Sequence, residues 1–179
     1  FAPAVIRPRF HFAEDIGPAK TVAILAMIAK RGSQGIVLKA QNVASIRAEI
    51  DRLIDLKIPV VTVFTDCPDC ARLAYVGLNN TNAGRTAAYL FAQCLQGRSG
   101  AVLTTTSRRQ FQGEEARAQA FTAEMARLCP EVTLHEASGG AGLALETATR
   151  ITRAVHGLDH LLGVYSVGGA NAAILSTLV

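Results

Sequence analysis

The chain has 179 residues, half of them apolar and 18% charged; at roughly 150 residues per domain this is one large domain or two small lobes, and intrinsic disorder is excluded. Eighteen Lys and Arg against fourteen Asp and Glu leave a net charge of +4, but the basic residues stand singly or in pairs, so no nucleic-acid surface is indicated within the segment. The longest wholly apolar run, Val22 to Ala29, falls far short of the roughly 20 residues a membrane span needs.

Short β-rich runs alternate with stretches of 3.6-residue apolar periodicity, the pattern of βα units on a parallel sheet. In chain order the pattern predicts a strand over 5–12 (VIRPRFHF), a helix over 14–31, a strand over 35–40 (GIVLKA), a helix over 43–57 and a strand over 59–66 (PVVTVFTD). A strand over 73–78 (LAYVGL) follows, then a helix over 82–97, a strand over 100–107 (GAVLTTTS) and a helix over 112–128. The chain closes with a strand over 132–138 (VTLHEAS), a helix over 142–157, a strand over 161–169 (LLGVYSVGG) and a helix from 170, making seven strands. Asn42 and Asn82 are the expected N-caps; Gly32 and Gly97 stand where helices should stop, and Pro59 and Pro130 follow helix ends. Only CPDCAR separates PVVTVFTD from LAYVGL, too little for a crossover helix, so the chain is expected to pass from one lobe to another near there. The chain opens at Phe1 without Met and stops at Val179 inside an apolar run; it reads as a fragment.

In open α/β sheets ligands bind outside the carboxyl ends of the strands. The residues there are Ala40-Gln41-Asn42, Thr65-Asp66, Asn79-Asn80, Ser107 to Phe111, Ser138-Gly139-Gly140 and Gly168 to Asn171. They are rich in amides and arginines, with one carboxylate and one aromatic, and contain no nucleophile and base pair; this set suits binding of hydroxyls more than catalysis. The Cys67-Pro68-Asp69-Cys70 motif lacks the helix N-terminus that a redox pair needs, and no second Cys or His pair completes a zinc site. It reads as a loop with incidental thiols, and all four cysteines are expected reduced and metal-free, which favours a reducing compartment. The glycines of SGGAGLALE (138–146) could open a phosphate loop, but the third glycine of the dinucleotide pattern is replaced by Leu145, and a flexible loop is the better reading. Arg117 on the 112–128 helix could reach back over the strand ends or pair with Glu114 on a solvated face; spacing alone favours the second.

Three segments carry a family resemblance: IPVVTVFTD (58–66), YVGLNNTNAGRTAAYL (75–90) and FQGEEARAQAF (111–121). They resemble the effector-binding domain of LacI-type transcriptional regulators and the related type I periplasmic sugar-binding proteins, over nearly the whole chain. The resemblance implies two flavodoxin-like lobes with parallel sheets, here 1–78 and 79–179, lacking the first strand of one lobe and the last portion of the other. It implies a sugar or similar effector held by Asp66 from the first lobe, by Arg117 and Asn171 from the second, and by Phe111 as a stacking wall. Asn80 matches the family's Asp-Asn pair, whereas Asn79 stands where the family has the acid. It further implies a non-enzymatic, cofactor-free, cytoplasmic homodimer that contacts operator DNA through a headpiece outside this chain and does not contact a membrane. The alternative is a periplasmic sugar-binding protein of a transport system.

Overall fold

The computed structural model describes residues 5–12, 17–108 and 110–178. Its strands form two three-stranded parallel sheets, one per lobe. The first holds β1 (Ile36–Leu38), β2 (Val60–Val63) and β3 (Ala74–Val76) in that spatial order. The second holds β4 (Gly100–Thr106) at its centre, flanked by β5 (Val132–Ser138) and β6 (Leu161–Ser166).

In the first lobe α1 (Pro18–Lys30) and α2 (Ala44–Asp55) pack together against one face of the sheet. Leu25, Ile46, Ile50, Leu53 and Val60 are at most 2% exposed there, and burial of each large aliphatic chain stabilises by about 1.5–3 kcal/mol. The spacing of Ile46, Ile50 and Leu53 at three and four residues is what puts them on one stripe of α2. Proline in the first turn of α1 costs no helical hydrogen bond, and Gly32, at φ 74°, ends that helix in the left-handed conformation glycine tolerates.

The second lobe is built on the alternation of β4. Val102 belongs to a cluster with Ala88, Leu95, Phe121 and Met125, contributed by α3 (Asn80–Leu95) and α4 (Gln112–Leu128). Its neighbour Leu103 belongs to a cluster with Ile151 and Ile174, contributed by α5 (Ala144–Val155) and α6 (Asn171–Leu178). Successive strand residues point to opposite faces, so helix pairs cover both sides of this sheet and β4 is buried along nearly its whole length. Phe121 packs 4.3 Å from Tyr165 and edge-on to Phe91 at 5.2 Å between ring centroids, a geometry that adds to simple area burial.

Three expectations are corrected. Residues 5–12 form no strand: they carry no regular secondary structure and pair with no strand among the described residues, and Val5 and Phe12 are 83% and 90% exposed. Alternating apolar residues make a strand only when a neighbour takes the backbone hydrogen bonds; six strands, not seven, are therefore present among the described residues. The N-caps shift as well. Val43, not Asn42, precedes α2, and Asn79, not Asn82, caps α3, its Oδ1 accepting from the Asn82 N–H at 3.0 Å. The side chain of Asn42 accepts instead from Arg47 Nη1 at 3.0 Å. The start of the predicted 14–31 helix at 14–16 lies outside the described residues.

The helix-free passage from β2 to β3 returns parallel within the same sheet, with Val61 opposite Ala74 and Val63 opposite Val76. The chain leaves that sheet only after β3, where it enters α3.

Candidate functional site

Every strand runs parallel to its neighbours, so the carboxyl ends of each sheet gather their loops on one edge. Three non-glycine residues at these ends have positive φ: Phe64 (64°) after β2, Ala141 (52°) after β5 and Ala170 (64°) before α6. A side chain in this region costs about 1–2 kcal/mol and persists where surrounding contacts over-determine it. At Phe64 those contacts are visible: its N–H donates to the Val76 carbonyl at 3.2 Å and its carbonyl accepts from the Tyr75 hydroxyl at 3.3 Å. The twist presents the buried Thr65 hydroxyl to the second lobe, where it accepts from the Gly113 N–H at 3.1 Å.

That bond is one of several that join the lobes at the start of α4. The Asn42 N–H donates to the Gln110 carbonyl at 2.9 Å, and Lys39 Nζ stands 4.5 Å from the centroid of the Phe111 ring. Phe111 therefore lies in the seam between lobes, half-buried, as the residue preceding α4.

Arg117 sits one and a half turns further into α4. Its Nη1 donates to Asn80 Oδ1 in a short contact, and its Nη2 donates to the Val167 carbonyl at 3.0 Å. Asn80 is itself buried at the first turn of α3, its Nδ2 donating to the Tyr75 hydroxyl and the Leu78 carbonyl, both at 3.2 Å. Arg117 thus reaches over the strand ends and does not pair with Glu114, contrary to what spacing favours. Glu114 is buried and turned inward, accepting from Ser107 N–H at 2.8 Å and Ser107 Oγ at 2.7 Å. These bonds fix the turn between β4 and α4. Gly168 must lack a side chain here, since a Cβ would stand 2.6 Å from Ser107 N.

Asp66 is the most heavily engaged residue of the site. Its Oδ1 accepts from Arg72 Nε at 2.5 Å, Cys67 N–H at 2.7 Å and Thr62 Oγ1 at 2.8 Å, and its Oδ2 accepts from Arg72 Nη2 at 2.6 Å. Burial raises the affinity of this carboxyl for a proton, but the Arg72 bonds, the Thr62 hydroxyl and the Cys67 N–H outweigh it and hold the group below the usual carboxylate range. The hydrogen bonds bring Arg117 and Asn80 together and leave Asp66 joined to Arg72 rather than to either of them. Asn171 is exposed at the start of α6, its Oδ1 accepting from Ser166 Oγ at 2.5 Å. Arg72 is the residue sequence reasoning missed. The only signal was an arginine six residues beyond a strand-end acid, and nothing in that spacing shows that the loop folds back.

The Cys67–Cys70 segment is a loop. Cys67 is fully buried; desolvation, with Cys70 next to it, pushes its thiol up to about 12, the reverse of a reactive thiolate. The Cys70 thiol donates to the Cys67 carbonyl at 2.9 Å. The glycine loop after β5 is no phosphate cradle: Arg150 donates to the Ser138 carbonyl and crowds Gly139, and the cavity between this loop and β4 measures about 10 Å³, room for a single water.

Residues 10–178 match the family model described as periplasmic binding protein domain. Among solved structures the chain is similar to that titled XylFII molecule, at TM-score 0.82 and 18% identity, covering 90% of this chain and 59% of that one. It is similar to an ABC transporter solute-binding protein from Burkholderia graminis in complex with D-arabinose, at TM-score 0.80 and 23% identity, covering 90% and 56%. It is also similar to the fructose-binding periplasmic domain of a hybrid two-component system, at TM-score 0.82 and 18% identity, covering 92% and 54%. At these identities the likeness is one of fold, and the chain spans little more than half the length of each relative. No curated protein matches the sequence.

Proposed function

The chain belongs to the periplasmic binding protein domain family, and from that premise we propose that it is a non-enzymatic, cofactor-free module that holds one small polyhydroxylated molecule, of the sugar class, where its two lobes meet. The observation that carries this reading is the position of Arg117. A guanidinium held over the strand ends by Asn80 and the Val167 carbonyl, on the helix whose preceding residue, Phe111, lies in the seam between the lobes, supplies a fixed fork of donors, and the same segment supplies an aromatic face. Sugars need both, since their hydroxyls accept from such a fork while their C–H faces lie on an aromatic ring. Asn80 and Asn171 add amide groups, and Asp66 contributes from the first lobe by fixing Arg72. The lobes are taken as 1–78 and 79–179. The arabinose complex and the fructose-binding domain among the similar structures support the sugar class.

Two contexts use such a module. Delivery to a transporter, or sensing outside the cytoplasm, is favoured by the solute-binding and sensor proteins that share the fold. The effector core of a LacI-type regulator, a cytoplasmic homodimer acting on operator DNA through a separate headpiece, is favoured by four free thiols, one of them exposed at Cys94. The upstream coding sequence separates them: a helix-turn-helix assigns the regulator, a signal peptide the transporter or sensor.

The test of binding is calorimetric titration of the full-length parent protein with pentoses and hexoses, comparing wild type with Arg117→Ala. Truncation should cost about 2–5 kcal/mol, roughly thirtyfold or more in affinity, because it leaves Asn80 and the Val167 carbonyl unpaired as well as removing the donor. An Arg117→Ala variant binding within about threefold of wild type places the ligand elsewhere.

A further inference from the structure

Resting on the proposed site at Arg117, we infer that Tyr75 is a positioning residue through which the first lobe sets the direction of the second lobe's ligand-binding arginine. Tyr75 is the middle residue of β3, in the first lobe, and Asn80 is the first residue of α3, where the second lobe begins. The Tyr75 hydroxyl accepts from Asn80 Nδ2 at 3.2 Å, and Oδ1 of the same amide accepts from Arg117 Nη1. A guanidinium has donors only, so the amide must turn its oxygen toward Arg117 and its two N–H groups away. Both N–H groups then end on the first lobe, one on the Tyr75 hydroxyl and one on the Leu78 carbonyl at 3.2 Å. The hydroxyl is tied to that lobe as well, since its own proton is shared between the Leu78 and Phe64 carbonyls at 3.2 and 3.3 Å. Asn80 is buried, and a buried amide that loses a partner bears the cost of desolvation without compensation.

Packing fixes the same arrangement. A Cβ at Gly77 would collide with the Tyr75 hydroxyl, so the ring in this position requires glycine two residues further on. A Cβ at Gly113, in the first turn of α4, would stand 3.1 Å from Asn80 Nδ2 and 3.1 Å from the Phe64 carbonyl. Gly113 is thus wedged between the amide that Tyr75 holds and the strand end that it bonds, and its N–H donates to Thr65 Oγ1. Arg117 lies four residues further along α4, about one turn. Its two nitrogens answer to different lobes: Nη1 to Asn80, which is held by Tyr75, and Nη2 to the Val167 carbonyl of the second lobe at 3.0 Å. The fork is aimed only while both anchors are in place.

The experiment compares full-length wild type with Tyr75→Phe, which keeps the ring and removes the hydroxyl. Nuclear magnetic resonance of the ligand-free proteins should show the Arg117 side-chain N–H signals displaced and exchanging about two- to tenfold faster, the equivalent of one net hydrogen bond. The Val102 and Leu103 amides and the circular dichroism should be unchanged. A purely structural role for Tyr75 predicts the reverse, lower core protection with Arg117 unmoved. The second readout is titration with D-arabinose, D-xylose, D-fructose and D-galactose. Any of these that wild type binds should bind Tyr75→Phe about two- to tenfold more weakly. Adding Tyr75→Phe to Asn80→Ala should cost nothing further, because no amide is left to hold. Unmoved Arg117 signals, or an equal penalty in both backgrounds, overturn this inference and leave the sugar site standing. Failure of wild type to bind any of the four sugars counts against the sugar reading alone, since the resonance comparison decides the role of Tyr75 without ligand.

Discussion

The Asp66–Arg72 pair holds the helix-free loop between β2 and β3 to the end of the sheet. Removing the acid strands a largely buried guanidinium, so Asp66→Asn should destabilise the protein by about 1–3 kcal/mol near neutral pH in urea titrations. The pH dependence follows from the sign of the shift. The folded-state carboxyl titrates below its ordinary range, so its contribution is fully present above the unfolded value of about 3.9 and is lost as pH falls through the lower folded one. The deficit of Asp66→Asn relative to wild type should therefore be constant above about pH 5 and close progressively in acid. A deficit that persists unchanged into acid would assign the pair no charge-dependent role.

Between elements, the tightest constraint is the crossing of α3 and α4. A Cβ at Gly84 would collide with the Arg117 carbonyl and stand 2.9 Å from Ala120 Cβ and 3.0 Å from Phe121 N. These are backbone and short-chain atoms with no rotamer to yield, so the helices could accept a methyl only by separating. Gly84→Ala gains up to about 1 kcal/mol of helix propensity, yet overpacking of this kind costs about 1–3 kcal/mol. The expected outcome is a net loss of thermal stability with weakened ligand binding, because Arg117 lies on the displaced turn. Gly157→Ala provides the contrast, since only the Ala154 carbonyl at 3.9 Å would meet its methyl. Equal stability of Gly84→Ala and wild type would mean that the helices are not in this contact.

For the whole molecule, the lobes are joined at the start of α4 by the Thr65–Gly113 and Asn42–Gln110 bonds. Thr65→Val keeps the shape of the side chain but removes the acceptor, leaving the buried Gly113 N–H without its described partner. The cost should be about 1–3 kcal/mol, borne by whichever arrangement keeps the lobes together. Small-angle scattering of ligand-free Thr65→Val should show a larger radius of gyration than wild type, and saturating ligand should restore compaction by favouring the joined state. Unchanged dimensions would indicate that other contacts set the lobe spacing.

Period and punctuation were sufficient to read β1, α2, β4, α4, β5 and α5 to within a few residues, because each is specified by its own apolar stripe and by nearby glycine or proline. The family motifs in turn carried the likeness to two lobes of parallel strands. Position 5–12 shows the limit: its alternation is that of a strand, but strandedness is a property of a pair and no partner is described. The site divides in the same way. That Arg117, Asn80 and Phe111 lie at strand ends or on the adjoining helix could be argued from residue order and motif. That Arg117 turns toward Asn80 rather than Glu114, and that Asp66 is occupied by Arg72, depended on a loop folding back and a glutamate turning inward. Both are outcomes of hydrogen-bond competition in three dimensions, which spacing along a chain does not encode.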